Sequence, residues 1–441
     1  MIVGKKLFIL SLCLAAAFIA HCYAEEGKPK YPDLHEFIKT TQFIDVHSHP
    51  STAHVSSERQ FKYPTLEPPI FRPFWITDHD KIAVWESMQV EALQKIYGYS
   101  GTSVTADDIA GLEELSRKLW SAGKKDGLNK ILDLCGIQAT FYNSGYPKKD
   151  LDPGRTFWVP FVDFLLYPAN ASQIESINMD LRRTLKHHNE SVEKEAARLK
   201  ISLQGIGQYK KFIRALLTEF KSDGAVAVKV ASAYYRTLWF DYVDGKEADL
   251  IYMKMLKEPL NDWKEYKRLQ DYIARLVFSI CGELDLPVHI HTGFGASATL
   301  KNLDSNPLNL ESIFSDRAFQ NTRLVMLHAG YPFSDKLKPL LEKKNVFVEF
   351  SAVNWMVFRH ELADILFDWL SYPGASEKIM FGADAGAPVF FQIAAENSRA
   401  ALYDALSRLI EKQIIDESKA KVIAEKIMRG NALRIHKLNL Q

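Results

Sequence analysis

Cysteine is scarce in this chain. Four of the 441 residues are cysteine, and two of these, Cys13 and Cys22, lie in an N-terminal stretch that reads as cleavable. Cys135 and Cys281 sit in apolar, helix-like contexts, which favours buried free thiols over a disulfide and excludes a Cys-rich zinc motif. An excess of charge of either sign is also lacking, since 55 Lys and Arg face 54 Asp and Glu. That balance offers no broad electrostatic footprint for nucleic acid or an anionic membrane. There is no internal repeat, and no low-complexity stretch beyond the N-terminal apolar run.

That run has a secretory pattern. Lys5 and Lys6 precede "LFILSLCLAAAFIA", and "CYA" places small Cys22 and Ala24 at cleavage-site spacing. The run is short for a membrane span, so the expectation is a signal peptide over residues 1–24, cut near Ala24, and an exported, periplasmic or secreted chain. Retention as an anchor is the alternative; a lipoprotein fits less well because His21 precedes Cys22. Loss of Lys5 and Lys6 leaves 53 basic against 54 acidic residues, a formal charge of −1.

The remaining roughly 415 residues suit one barrel enzyme with insertions. Eight apolar, β-branched runs recur: "FIDVH", "IQATFYN", "FWVPFVDFLLY", "AVAVKVA", "PVHIHTG", "RLVMLHAG", "VFVEFSA" and "IMFGADAG". Helical patterns follow most of them, the signature of a parallel α/β sheet, and eight such units predict a closed (β/α)8 TIM-like barrel. "SGYPKKDLDPGRT", between the second and third runs, is too polar and broken for a helix. Residues 25–441 are expected to form a single domain with insertions at about 51–105 and 168–222. "KHHNE", inside the second insertion, reads better as a solvated helix face than as a metal site.

Polar residues gather at the ends of these runs. "FIDVHSHP" carries two histidines one residue apart, and simple alternation puts Asp45, His47 and His49 on one strand face, with Pro50 ending the run. Lys229 lies near the end of the fourth run, His291 of the fifth, His328 of the sixth and Asp384 of the eighth. Barrel enzymes build their sites at the C-terminal ends of strands. Neutral imidazoles and a carboxylate from several strands suit Zn2+ or another divalent first-row ion with one position open to water.

"VHSHP", "HTGFG", "LHAGYP" and "FGADAG", in that order, resemble the amidohydrolase superfamily, specifically its amidohydrolase-related branch. "AVKVASAYYRTL" is similar to a stretch in amidohydrolase-like domains that some fungal and plant proteins fuse to a glutamine synthetase-like domain. The resemblance implies that His47, His49, His291 and Asp384 ligate one divalent ion, zinc first. It implies that His328 either binds a second metal or acts as acid/base, and that Lys229 matches a lysine carboxylated in two-metal members. From parity Lys229 points inward and needs an anionic partner, whether through carboxylation, a substrate carboxylate or a neighbouring acid. His289, two residues before His291 on the same face, is expected to support the ligands. Tyr235 and Arg236, just beyond the fourth run, are candidate substrate contacts, with Arg236 a bidentate carboxylate clamp or a surface residue. "FGADAG" departs from the family in having alanine where serine commonly precedes the aspartate.

The expected function is metal-dependent hydrolysis of an amide, lactone or other ester-like bond in a small molecule, with Asp384, His328 and Lys229 as catalytic groups. A non-hydrolytic decarboxylase or isomerase of the same family is the alternative. A non-catalytic solute-binding barrel would be expected to lack a ligand, and none is missing. Expected partners are a small-molecule substrate and, as an option, further copies of the chain; nucleic acid and stable membrane insertion after signal removal are not expected.

Overall fold

A computed structural model describes residues 29–50, 83–104, 108–168, 179–258, 260, 262–295 and 300–440. The expected signal peptide and most of the insertion at 51–105 lie outside them. Among the described residues no helix is long and apolar enough to cross a membrane.

Eight strands form, one in each expected run: β1 Phe43–Ser48, β2 Ile137–Asn143, β3 Thr156–Val159, β4 Val228–Val230, β5 Val288–Ile290, β6 Leu324–Met326, β7 Val346–Glu349 and β8 Ile379–Met380. All neighbours are parallel, in the order β1-β2-β3 and β4-β5-β6-β7-β8. The seam between β3 and β4 is bridged at Trp158/Ala225 and Phe161/Lys229. At the other seam the Val46 N–H donates to the Phe381 carbonyl at 3.1 Å and the His49 N–H to the Ala385 carbonyl at 3.0 Å. The ring is therefore completed by individual bridges rather than by continuous ladders. The third run is shorter as a strand than its apolar length suggests. Pro160 has no N–H to give a ladder, and the chain turns into a short 3-10 helix at Asp163–Leu166.

The interior can be read from packing. Ile44, Val46, Phe141, Val159, Ala227, Val325, Phe347 and Met380 form one buried cluster, with members in or beside every strand except β5, which places His289 against Phe141 with ring centroids 6.3 Å apart. Ala432 and Ile435, from the helix Asn431–His436, join this cluster. Asn431 donates to the carbonyls of Ser376, just ahead of β8, and Ile379, its first residue, and Lys437 pairs with Asp285, just ahead of β5. This helix therefore plugs the N-terminal end of the barrel.

The outward strand faces bury against amphipathic helices. Trp263–Glu283 starts at Asp262, whose side chain accepts from the Lys264 N–H, and buries Tyr266, Leu269, Ile273, Val277 and Ile280 at helical spacing. In the 168–222 segment, Ile206–Ser222 buries Tyr209, Ile213, Leu216 and Phe220 in the same way. Cys135 and Cys281 are both buried and free, as their apolar settings led one to expect.

Candidate metal centre

A slip of register builds the first part of the site. β1 pairs with β2 irregularly between Asp45 and Ser48, which disrupts the expected alternation. Ile44 and Val46 face the interior cluster, and His47 turns inward too, its ring 5.2 Å from His328. Asp45 does not share the histidine face, contrary to simple alternation. It accepts hydrogen bonds from Ser48 and Thr140 hydroxyls, both at 2.6 Å, and from the Ala383 N–H at 2.8 Å, tying β1 to its two neighbours.

His47 Nε2 and His49 Nε2 each lie 3.3 Å from Asp384 Oδ1. The three residues form a group able to hold a metal ion, with ligand atoms all within 4.8 Å of one another. Donors bound ~2.0–2.1 Å from a tetrahedral ion stand ~3.3–3.4 Å apart, so the observed edges match such a polyhedron. The group is graded in depth: His47 is 1 % exposed, Asp384 22 % and His49 38 %. A ligand can therefore approach from the His49 side.

Lys229 and His291 flank the group. Lys229 Nζ lies 3.3 Å from His47 Nε2. Among the described residues no carboxylate comes within ion-pair distance of it, but Asp384, Glu349 and Asp163 surround it more loosely and oppose the burial that draws its pKa down to about 8. His291 Nδ1 sits 3.0 Å from His328 Nε2, while His291 Nε2 is buried with no hydrogen-bond partner. His291 stands outside the three residues whose ligand atoms lie within 4.8 Å of one another, but an unpartnered buried nitrogen needs something to bind. Two imidazoles and a carboxylate with a third imidazole at their flank fit a divalent first-row ion.

Electrostatics prepare these groups for a cation. Burial, with Lys229 adding to it, pushes His47 down to about 3, and burial holds His291 and His328 well below the usual imidazole range. Near neutral pH all three present lone pairs. Burial opposes ionisation of Asp384, yet hydrogen bonds with His47 and His49 hold it well below the usual carboxylate range. His328 and Asp384 both adopt left-handed backbone, with φ of 63° and 50°, a conformation that costs energy in non-glycine residues and gathers at functional positions.

Other sequence candidates lie elsewhere. Arg236 is buried and engaged: it ion-pairs with Asp271, donates to the carbonyls of Thr237 and Trp239 at 2.9 and 3.0 Å, and covers the Phe240 ring. It is neither a free clamp nor a surface residue. Tyr235 packs edge-on against Tyr167 and His188, whereas its neighbour Tyr234 lies against His291 with ring centroids 4.5 Å apart. His289 pairs with His436 rather than with the ligands, at 2.8 Å between Nε2 atoms.

Three buried groups near the site escaped the sequence reading. Glu349 ends β7, and burial raises its pKa to about 8. Ser351 hydrogen-bonds both Glu349 and His328. Asp163 accepts from the Ala231 N–H at 2.7 Å. A lone carboxylate within "VFVEF" or "FVDFLL" was the available signal, since a buried acid in an apolar run needs a partner.

Residues 163–438 match the family model described as Amidohydrolase, and the chain belongs to that family. No curated protein matches the sequence. Among solved structures, a protein designated a metal-dependent hydrolase from Lactobacillus casei is 15 % identical with a TM-score of 0.61, over 92 % of this chain and 97 % of the other. A uronate isomerase from Thermotoga maritima is 12 % identical with a TM-score of 0.63, over 92 % and 97 %. A glucuronate isomerase from Caulobacter crescentus is 10 % identical with a TM-score of 0.66, over 93 % and 94 %. At such identities these likenesses establish the shared barrel fold and nothing finer.

Proposed function

We propose that this chain is an exported metal-dependent hydrolase that cleaves an amide, lactone or other ester-like bond in a small molecule. The observation that carries the reading is the convergence of His47 Nε2, His49 Nε2 and Asp384 Oδ1 beside the unpartnered His291 Nε2. His47, His49 and Asp384 would hold one divalent ion, zinc by preference, with His291 supplying a fourth ligand; carboxylation of Lys229 would add a ligand and admit a second. A bound ion supplies Lewis acidity toward a substrate carbonyl and lowers the pKa of water at the site. Asp384, ionised and 22 % exposed at the mouth, takes the proton from the attacking water. His328, whose Nδ1 lies 3.9 Å from Asp384 Oδ2, is placed to exchange a proton with Asp384 as that carboxylate turns from base to acid. Lys229 adds positive charge beside His47, where it helps hold an anion developing on the substrate. Export rests on the N-terminal charged, apolar and small-residue pattern.

Metal analysis of purified protein tests the site, and a screen over lactones, N-acyl amino acids, dipeptides and aromatic acids tests the chemistry. Turnover that places one oxygen of labelled water in the product supports hydrolysis. Loss of carbon dioxide, or interconversion of a sugar acid with no oxygen gained, would move the assignment to a decarboxylase or isomerase.

A further inference from the structure

Behind the metal ligands runs a hydrogen-bonded chain in which Glu349 and Ser351, two residues with no part in the proposed reaction, join His328 and His291. Glu349, buried at the end of β7, accepts from the His328 backbone N–H at 2.8 Å and from the Ser351 hydroxyl at 2.8 Å on one oxygen, and from the Ser351 backbone N–H on the other. Ser351 Oγ is 2.9 Å from His328 Nδ1, and His328 Nε2 is 3.0 Å from His291 Nδ1. Nothing larger than glycine fits behind the carboxylate, because a Cβ on Gly382 would stand 2.3 Å from Glu349 Oε2.

The proton positions follow from the inventory of donors. Burial works against the ionised form of Glu349, but a backbone N–H on each oxygen and the nearby Lys229 ammonium favour it. As a carboxylate it accepts at both oxygens, so the Ser351 hydroxyl spends its one proton on Glu349. Ser351 Oγ can then only accept from His328, which puts that ring's proton on Nδ1. A neutral imidazole carries one N–H, so His328 Nε2 is an acceptor and His291 must donate to it from Nδ1. His291 Nε2 is left as a bare lone pair, and this is the buried atom without a partner. We infer that Glu349 and Ser351 are positioning residues that act through His328 to hold His291 in the tautomer whose Nε2 can ligate metal. The inference rests on the proposed metal site. The Phe294 backbone also hydrogen-bonds the His291 ring, so the chain is one of two restraints and its loss weakens the site without abolishing it.

Removing the Ser351 hydroxyl breaks the chain, because His328 Nδ1 and Glu349 Oε1 stand 4.0 Å apart, too far for a direct hydrogen bond. In Ser351→Ala, zinc affinity of the metal-free protein, read by competition with a chromophoric chelator, should fall ~10-fold, the lower end of what lost outer partners of a ligand cost. Histidine-selective 15N labelling, with His291→Gln to assign the signal, should show His291 as Nδ1–H in the metal-free wild type and as a tautomer mixture in the variant. Glu349→Gln, which turns an amide donor toward backbone N–H groups, should weaken zinc at least as much. Should Ser351→Ala fail to fold, Ser351→Cys, similar in size but a poor donor, carries the same expectation. An unchanged tautomer or an unchanged zinc affinity in the folded variant overturns the inference. Wild-type protein that binds no divalent ion overturns the proposed function instead.

Discussion

The two ends of this barrel bury histidine for opposite purposes. At the N-terminal end, His289 and His436 meet inside an apolar cluster and answer each other: their Nε2 atoms are 2.8 Å apart, and His436 Nδ1 lies 3.0 Å from the Ala432 carbonyl. At the C-terminal end, His47, His49, His291 and His328 crowd together with Lys229 and Asp384, and the available protein groups leave His47 Nδ1 and His291 Nε2 without partners. One end pairs its two rings with each other and joins the core, with His289 Nδ1 the one ring nitrogen of the pair left without a partner. The other sets its imidazoles beside a lysine and an ionised carboxylate, with His47 Nε2 and His49 Nε2 each 3.3 Å from Asp384 Oδ1 and Lys229 Nζ 3.3 Å from His47 Nε2. Buried histidine alone thus says little; what its nitrogens face decides whether it is structure or site.

Breaking the ligand set should produce the largest effect. Wild-type protein should carry about one divalent ion per chain, and His47→Ala or His291→Ala should abolish its retention, since a site of three or four ligands cannot spare one. Elemental analysis of the variants and the wild type, prepared alike and offered zinc, checks this. The equivalent change at the other end, in His436, should leave metal content untouched.

Asp384→Asn separates holding the metal from moving a proton. Asparagine keeps the shape and one oxygen donor, and it tolerates the φ of 50° seen at this position. It lacks the charge and the basicity. The variant should fold and bind most of its metal, yet turn over ~10²-fold or more slowly. Metal occupancy and turnover measured on one preparation decide the matter; near-normal turnover would leave Asp384 a ligand or helix cap only.

Much of this arrangement was legible in the sequence. Eight apolar runs became eight parallel strands, and His47, His49, Lys229, His291, His328 and Asp384 all came to one end because position along a parallel strand translates directly into height in the barrel. What was not legible needed knowledge of lateral contacts. The bulge that separates Asp45 from the histidines depends on how β1 pairs with β2. The partner of His289 lies 147 residues away in sequence, on a helix whose place under the barrel no local pattern announces. Glu349 and Ser351 acquire meaning only beside His328, and "VFVEFSA" by itself reads as one more strand.

At the closed end the predicted effect is on stability. His436→Leu keeps the volume but leaves His289 Nε2–H unpaired in apolar surroundings, which should cost ~1–3 kcal/mol with turnover unchanged. The acid limb should also change. Burial pushes His436 down to about 3 from an ordinary value of 6.5, so between those values the unfolded chain binds the proton and the folded chain does not. Its stabilising share is complete above pH 6.5 and is lost as pH falls toward 3. Denaturant unfolding of the metal-free proteins at pH 7 and pH 5 should therefore show a smaller acid loss in His436→Leu than in wild type.

Arg236 gives the smallest effect and the finest test of where the open end stops. Two residues beyond Tyr234, which lies against His291, its guanidinium faces Asp271, whose other oxygen takes a 2.6 Å hydrogen bond from Lys267. Three further N–H groups go to Gln270 and to the carbonyls of Thr237 and Trp239. A fork with four of its five N–H groups committed cannot offer two parallel donors to a substrate carboxylate, so Arg236→Lys should shift KM by less than about twofold. Lysine retains the charge opposite Asp271 but cannot reproduce the fork, and the lost bonds should lower stability by ~1 kcal/mol. Thermal unfolding and steady-state kinetics on the same variant separate the two roles. A KM raised tenfold with stability intact would mean that the guanidinium leaves Asp271 for substrate, and that the working site reaches past Tyr234 into the helix Trp263–Glu283 that carries Asp271.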